Sequence, residues 1–414
     1  MHRPFSATAS APHLLCDLTQ SWSAVGGGVG TYLRAKRAHL LENTPHRHLM
    51  ILPGEADRVE EDGRATTVWI KSPHVPFSPN YRLLLRNGAV REALEQFRPG
   101  VIECQDAYNL PWAAIAHRRK HPQTALIAGY MTDFPTVYAA RPLSKAFGSG
   151  IGGAAGRLCY RYCGKLYRQF DAVYALSDHG GGHKLRSLGV DPVHILPLGV
   201  ELEAFGPRHR DPGLRRELGL AEAQPLLIYV GRLDIEKRPD IVVDAFRRLP
   251  EELGAKLVIL GQGPQREQFE ALGDPRIITP GFVNDRAALA RWLASSDIYV
   301  SAMPNETFGV SVIEAQASGL PIVGVAGGAM LERVLPGMGL LGPVGDAAAM
   351  ASNIQQVWSG DHRRMGERGR AHVADEFSWQ HSMDVLLGTV VPAALARRAE
   401  ALRRAPAPAL AAAA

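Results

Sequence analysis

The strongest constraint on this chain is a rhythm. Apolar runs of four or five residues alternate with stretches of helical spacing along almost the whole sequence, and the rhythm breaks once. The first series is His13–Asp17, His48–Leu52, Thr66–Ile70, Val101–Cys104, Ala125–Ala128 and Ala172–Ala175. The second is Leu226–Val230, Lys256–Leu260, Arg276–Thr279, Asp297–Val300 and Pro321–Gly324. Near-continuous apolar strands need cover on both faces, which a sheet between two layers of helices supplies. Regular alternation with helices predicts parallel sheets joined by right-handed crossovers. His194–Gly199 closes the first series. The mixed-charge segment Glu201–Gly213, with Pro207 and Pro212, reads as a hinge. At 414 residues, two domains are expected. The reading is α/β: two doubly wound, Rossmann-like domains over residues 1–199 and 200–378, a last helix over 379–396, and a disordered Arg-then-Ala/Pro tail over 397–414.

Ligands of such sheets gather where the strands end, so the residues just past each run are the candidates. The richest stretch is Pro304–Pro321. Asp297–Ser301 reads as a strand, Glu306 lies in the loop after it, and Gly309–Ser318 reads as a short helix stopped by Gly319 and Pro321. Val310, Ile313 and Ala317 mark its inner face, and Glu314 falls on the same face. A carboxylate in an apolar stripe needs a partner: a neighbouring Arg or Lys, or a ligand offering two hydroxyls. The N–H groups of Thr307, Phe308 and Gly309 open the helix and suit an anion. After the first strand of the second series, Gly231–Arg238 puts Arg232 and Lys237 in a strand-to-helix loop, where two cations suit a diphosphate. Gly261 and Gly263 permit close approach of a flat ring, and Val283 lies in a similar loop. Together these loops could hold a base, with Glu314 on the ribose.

In the first half the edge carries the Gly26–Gly30 turn before a helix over Thr31–Leu41, then Gln105 and Asp106, Met131 to Asp133, and Ser177 to His179. The turn is not Gly-x-Gly-x-x-Gly, which argues against a dehydrogenase, and a plain tight turn explains it equally well. Arg157, Arg161, Lys165 and Arg168 share one helix face, flanked by Tyr160 and Tyr167. That face is either simply solvated or a dock for anionic lipid or an anionic acceptor. His179 and His183, separated by three glycines, lack an adjacent acid and make a poor metal site, and His117 and His121 look like ordinary helix-end residues.

The formal charge of +5 favours anionic ligands but is too small to argue for nucleic acid. Cys16, Cys104, Cys159 and Cys163 form no Cys-x-x-Cys pair and read as reduced packing residues. No apolar run reaches the roughly 18 residues of a spanning helix, and Met1–Ala11 lacks the layout of a signal peptide. A cytoplasmic protein, peripheral at most to the inner membrane face, is expected. No Asp-x-Asp occurs anywhere, so a leaving diphosphate would be stabilised by side-chain cations and helix N-termini rather than by a divalent ion; no metal or cofactor is expected.

These motifs resemble the retaining glycosyltransferases of the GT-B fold, family 4. The resemblance runs from the Gly26–Gly30 turn to Phe377–Trp379. Its most specific part is Glu306 and Glu314 in a Glu-x7-Glu pattern, joined by Val230–Lys237 and Leu198–Phe205. It implies that the second domain binds a nucleotide-diphosphate sugar and the first an acceptor, and that the last helix crosses back to the first domain. It implies Glu314 on the ribose, Arg232 and Lys237 on the diphosphate, Glu306 with the N–H groups of Phe308 and Gly309 on the sugar, Val310 beside them, and Gly28 closing over the phosphate. Bacterial lipid and mannosyl transferases are similar at Tyr108–Trp112 and Pro76–Arg82, which implies mannose or glucose on a lipid, glycan or small-molecule hydroxyl. One departure stands out. Gly129–Pro135 has Met131 where such enzymes carry histidine, and methionine makes a poor hydrogen bond to a sugar. Asp133 and Asp106 remain as acceptor-side candidates. The alternative is a protein that binds a sugar nucleotide without turnover; a phosphorylase or an epimerase of the same architecture fits less well.

Overall fold

A computed structural model describes residues 12–23, 27–75 and 78–404. The first sheet contains β1 (Leu14–Leu18), β2 (Arg47–Gly54), β3 (Arg58–Asp62) and β4 (Ala65–Lys71), followed, after a small hairpin of β5 (His74–Val75) and β6 (Ser78–Arg82), by β7 (Val101–Cys104), β8 (Ala125–Tyr130), β9 (Ala172–Ala175) and β10 (Val193–Ile195). Its order is β10-β9-β8-β7-β1-β2-β4-β3. The second contains β11 (Leu226–Val230), β12 (Lys256–Leu260), β13 (Ile277–Gly281), β14 (Ile298–Val300), β15 (Ile322–Val325) and β16 (Gly339–Gly342), in the order β13-β12-β11-β14-β15-β16.

All pairings within these two sheets are parallel except β3 with β4. The expected parallel, doubly wound halves are therefore present. The additions are the antiparallel edge strand β3, the opposite edge strand β10, the hairpin and β16. Arg58–Asp62 is exposed along its whole length, so it carries no apolar run for a pattern search to find. Strand order reverses between β1 and β7 and again between β11 and β14. At such switch points two neighbouring loops diverge and leave a crevice.

The helix over Gly28–Asn43 starts three residues earlier than expected; Gly26 lies outside the described residues. Its Tyr32 and Lys36, one turn apart, reach a buried acidic pair on the sheet. Tyr32 Oη donates to Glu103 at 2.8 Å, and Lys36 Nζ lies 2.9 Å from Asp17 and 2.6 Å from Glu103. Burial alone would raise the Asp17 carboxyl, but Lys36 and His48 hold it down near 2. These bonds fix the helix, and with it the position of its N-terminus.

The hinge segment is tied to the end of the second domain: Val200 N donates to Phe377 O at 2.8 Å. The last helical stretch does return to the first domain. Ser382 Oγ donates to Pro197 O at 2.7 Å, and Arg398 Nε to Pro122 O at 2.5 Å. Helix continues through Arg404, so the expected disorder from residue 397 is corrected over 397–404. Arg397 and Arg398 are bonded to first-domain carbonyls rather than idle, and residues 405–414 lie outside the described part.

Candidate active site

The crevice between β11 and β14 gathers most of the candidates. Glu306 follows β14, is 8% exposed and accepts from Lys237 Nζ at 3.0 Å. Burial would raise its carboxyl. Lys237 and the backbone N–H groups of Phe308 and Thr307 outweigh that and hold it below the ordinary value, so it is ionised at neutral pH. The loop is pinned from behind, where Ala329 N donates to Glu306 O at 2.8 Å. Gly309 has φ +88°, a left-handed turn that glycine adopts without strain, and it opens the helix Val310–Ala317.

Glu314 lies inside that helix, 7% exposed, with Arg286 Nη1 at 3.5 Å and Glu201 on the far side of the same arginine at 3.9 Å. Burial and then the Glu201 charge push its carboxyl up to about 7, against the pull of Arg286. Of the two readings of this acid, the ion pair is present, but it is long and leaves the carboxylate poorly satisfied. Sequence reasoning missed Arg286, which opens the helix Arg286–Ser295 before β14 with nothing local to mark it.

Arg232 departs from expectation. Its guanidinium turns onto Asp234 and Glu236 of its own loop and is 60% exposed. A diphosphate would have to take it from those acids. The neighbouring Arg238 has φ +53°, unusual for a non-glycine residue, and leads into the helix Pro239–Arg247. Gly261 and Gly263 are needed for packing between loops. A Cβ on Gly261 would stand 1.8 Å from Gly231 O, and one on Gly263 would stand 2.3 Å from Leu233 O. They let two loops stack, and so help set the Arg232 loop. Val283 is half-buried against the core behind them.

The two domains meet at this rim. A Cβ on Gly28 would lie 3.8 Å from Val310 Cγ2, so the first residues of two helices, one from each domain, are in contact. Both carry partial positive charge. Ser177 Oγ donates to Thr307 O at 2.9 Å, and Thr307 Oγ1 to Met131 O at 3.4 Å. Met131 is buried beside the Glu306 loop. Glu332 accepts from Asp178 N at 3.1 Å, His179 N at 2.6 Å and His179 Nδ1 at 3.0 Å. Gly180 is needed here because a Cβ would stand 2.5 Å from Thr307 O.

Arg333, also missed, is buried between the rings of Phe308 and Phe377 at 4.4 and 4.5 Å. It donates to Phe308 O at 2.9 Å and, across the domains, to Leu176 O at 3.3 Å. Burial lowers it to about 10, still charged at neutral pH.

The first-domain candidate acids are held in networks. Asp133 accepts from Tyr130 Oη at 2.8 Å, Tyr160 Oη at 2.7 Å and Lys184 Nζ at 2.5 Å. Asp106 accepts from Thr19 Oγ1 at 2.7 Å, Gln20 N at 2.5 Å and Ser21 Oγ at 2.5 Å. Both are buried and fixed by these bonds. A cavity of about 540 Å³ lined by His194, Arg397 and Glu400 lies beside the last helix, away from both switch points.

Two Rossmann-like domains facing across such a rim form the GT-B architecture, the fold of sugar-nucleotide-dependent glycosyltransferases. Comparison with known proteins agrees. The Glycosyltransferase Family 4 pattern matches residues 26–204, and the pattern for Glycosyl transferases group 1 matches 211–372. A GDP-mannose-dependent alpha-(1-6)-phosphatidylinositol dimannoside mannosyltransferase of Mycobacterium tuberculosis is 29% identical over 85% of this chain and 90% of its own. A D-inositol 3-phosphate glycosyltransferase of Xylanimonas cellulosilytica is 28% identical over 80% and 84%. In fold, the chain resembles a sucrose-phosphate synthase from Thermosynechococcus elongatus, with TM-score 0.73 and 20% identity over 92% of this chain and 99% of that one. The chain belongs to glycosyltransferase family 4 and is an enzyme that transfers sugar from a nucleotide sugar. No helix among the described residues is long and apolar enough to cross a membrane.

Proposed function

We propose that this enzyme moves a hexose, mannose or glucose, from a nucleotide diphosphate to a hydroxyl of a lipid, glycan or small molecule, with retention at the anomeric carbon and without a metal ion. The observation that carries the proposal is the meeting of two helix N-termini, at Gly28 and Val310, beside the Lys237–Glu306 pair. Each end of that space suits one part of a sugar diphosphate. The Glu314 carboxylate takes the two ribose hydroxyls. Lys237, the helix ends and an Arg232 released from its loop acids take the diphosphate. Glu306, with the N–H groups of Phe308 and Gly309, takes the sugar. With Asp133 and Asp106 each engaged by three donors, the acceptor's proton passes to the departing phosphate oxygen as the acceptor oxygen bonds to the anomeric carbon and the carbon–phosphate oxygen bond breaks on the same face.

The relatives named above include a phosphatidylinositol-linked acceptor, and this chain has a surface suited to a lipid one. Exposed Arg157, Arg161 and Lys165 share a helix with exposed Ile151 and Leu158, and exposed Phe147 precedes it. Arg168, the fourth cation of that face, is committed to Leu188 O at 2.7 Å. Cations beside apolar side chains fit the edge of an anionic bilayer.

The test is transfer and hydrolysis with a panel of GDP- and UDP-hexoses, with anionic vesicles present or absent. Turnover of one donor with the anomeric configuration kept is expected. Binding of none of them overturns the proposal. Binding without product favours the alternative, a sugar-nucleotide-binding protein silenced by Met131.

A further inference from the structure

The first domain carries a second cluster of ligating side chains, outside the cleft. The helices Asn87–Phe97 and Leu110–Lys120 pack together. At their C-terminal ends Glu95, His117 and His121 converge, and one ligand atom from each lies within 4.8 Å of the other two. His117 is 4% exposed, and its Nε2 has no hydrogen-bond partner. An unpaired polar atom so deeply buried is costly, and its ring lies beside two further donor groups. His121 Nε2 is 2.8 Å from Glu95 Oε2, and the two imidazole centroids are 4.4 Å apart.

We propose that Glu95, His117 and His121 bind a borderline divalent transition-metal ion, of which Zn²⁺ is the type. Two imidazoles and one carboxylate are a common ligand set for that ion, with water completing the tetrahedron. The dimensions suit it. Bonds of about 2.0–2.2 Å place tetrahedral ligand atoms roughly 3.3 Å apart. The His121–Glu95 pair needs to open by about half an ångström, and the His117 contacts need to close by no more than about 1.5 Å, within reach of small side-chain rotations. His117 and His121 are one helical turn apart and so point to the same side.

A further feature favours a cation. The site is at the C-terminal end of a helix, where the backbone carbonyls carry partial negative charge. Lys120 and Arg98 are nearby and oppose the ion. Bound metal would join the two helices at the edge of the sheet opposite the donor cleft, a role in stability and not in transfer.

The experiment uses the full chain without an affinity tag, stripped with chelator. ZnCl₂ is titrated by calorimetry, and CoCl₂ is followed by the visible absorption of coordinated cobalt. One equivalent should bind, with a tetrahedral cobalt spectrum and a raised melting temperature. His117→Gln should weaken binding by about tenfold or more, and exposed Glu95→Gln by a similar factor. His183→Gln, at the other histidine pair, should leave binding unchanged. If His117→Gln fails to fold, Glu95→Gln and the cobalt spectrum of the wild type still decide. No binding by the wild type, or undiminished binding by Glu95→Gln, overturns the site.

Discussion

The two domains handle buried charge in opposite ways. At the β1/β7 switch point every buried acid is consumed: Asp17 and Glu103 by Lys36 and the Tyr32 hydroxyl, and Asp106 by three donors of the neighbouring loop. Asp133, after β8, is likewise saturated. At the β11/β14 switch point the groups are unsettled. Glu314 has one ion pair at 3.5 Å and sits near 7, and two helix N-termini, at Gly28 and Val310, lie in contact. Saturated charge builds a rigid platform. Unsatisfied charge is where a ligand gains by binding. The second domain thus carries the unsatisfied electrostatics that the proposed donor role needs, while the first domain presents a rigid surface.

The largest effect that could break this contrast is at Glu306. Glu306→Gln should lower the rate of transfer by about 10²–10³-fold, the scale of losing one preorganised charged group at a reacting centre. Nucleotide affinity should change far less, because Glu306 is assigned to the sugar. Steady-state kinetics with a parallel nucleotide titration separate the two. A variant with near-normal turnover removes Glu306 from the chemistry.

Glu314→Gln should act on binding, with nucleotide affinity weaker by about 10–100-fold and a smaller change in turnover. Its pH behaviour sharpens the point. Ribose hydroxyls bind the ionised carboxylate, so wild-type affinity should fall as pH drops below about 7, by up to tenfold per pH unit. Stability runs the other way. A carboxyl raised from 4.5 to about 7 contributes stability in full below the unfolded value, and that contribution is lost as pH rises through 7. The glutamine variant cannot ionise. At pH 8 it should be more stable than wild type by on the order of 1–3 kcal/mol without nucleotide. Thermal melts at pH 5 and 8 check the sign, and an identical pH dependence in variant and wild type would remove Glu314 as the cause.

Asp133→Asn reads the other side of the contrast. It should cost about 1–3 kcal/mol of stability by unbalancing Lys184 and two tyrosine hydroxyls, with turnover within about tenfold of wild type at temperatures where it remains folded. A folded variant with turnover abolished would restore Asp133 to the chemistry and end the distinction between the rims.

What the sequence shows of this molecule follows the range of the interactions involved. Buried parallel strands announce themselves because each needs an apolar run, and Gly309 and Glu306 are legible because a helix start and its loop are local. Strand β3 was not, because an exposed edge needs no apolar residues. Arg286, Arg333 and Glu332 act across 28, 157 and 153 residues of chain, on Glu314, Leu176 and His179 respectively; no local pattern encodes such contacts. Asp133 and Arg232 were placed correctly at strand ends, but position does not reveal a partner. Lys184 lies 51 residues from Asp133, and the Arg232 guanidinium is turned by acids two and four residues further on.

The smallest effect belongs to Met131, the residue most at odds with the family pattern. Its carbonyl receives the Thr307 hydroxyl, and its side chain packs in the apolar core beside the Glu306 loop. An imidazole put there would be desolvated, which favours its neutral form, and Thr307 is already engaged with the backbone at that position. The site is built around an apolar residue, so Met131→His gains a donor without gaining a scaffold to aim it. We expect the variant to stay within about tenfold of wild-type turnover, with the same preferred donor. The measurement is initial rate across the donor panel for both proteins. A wild type that binds nucleotide but is inert, with a variant that turns over about 10²-fold faster, would show that the donor rim is complete and that a single first-domain residue keeps it silent.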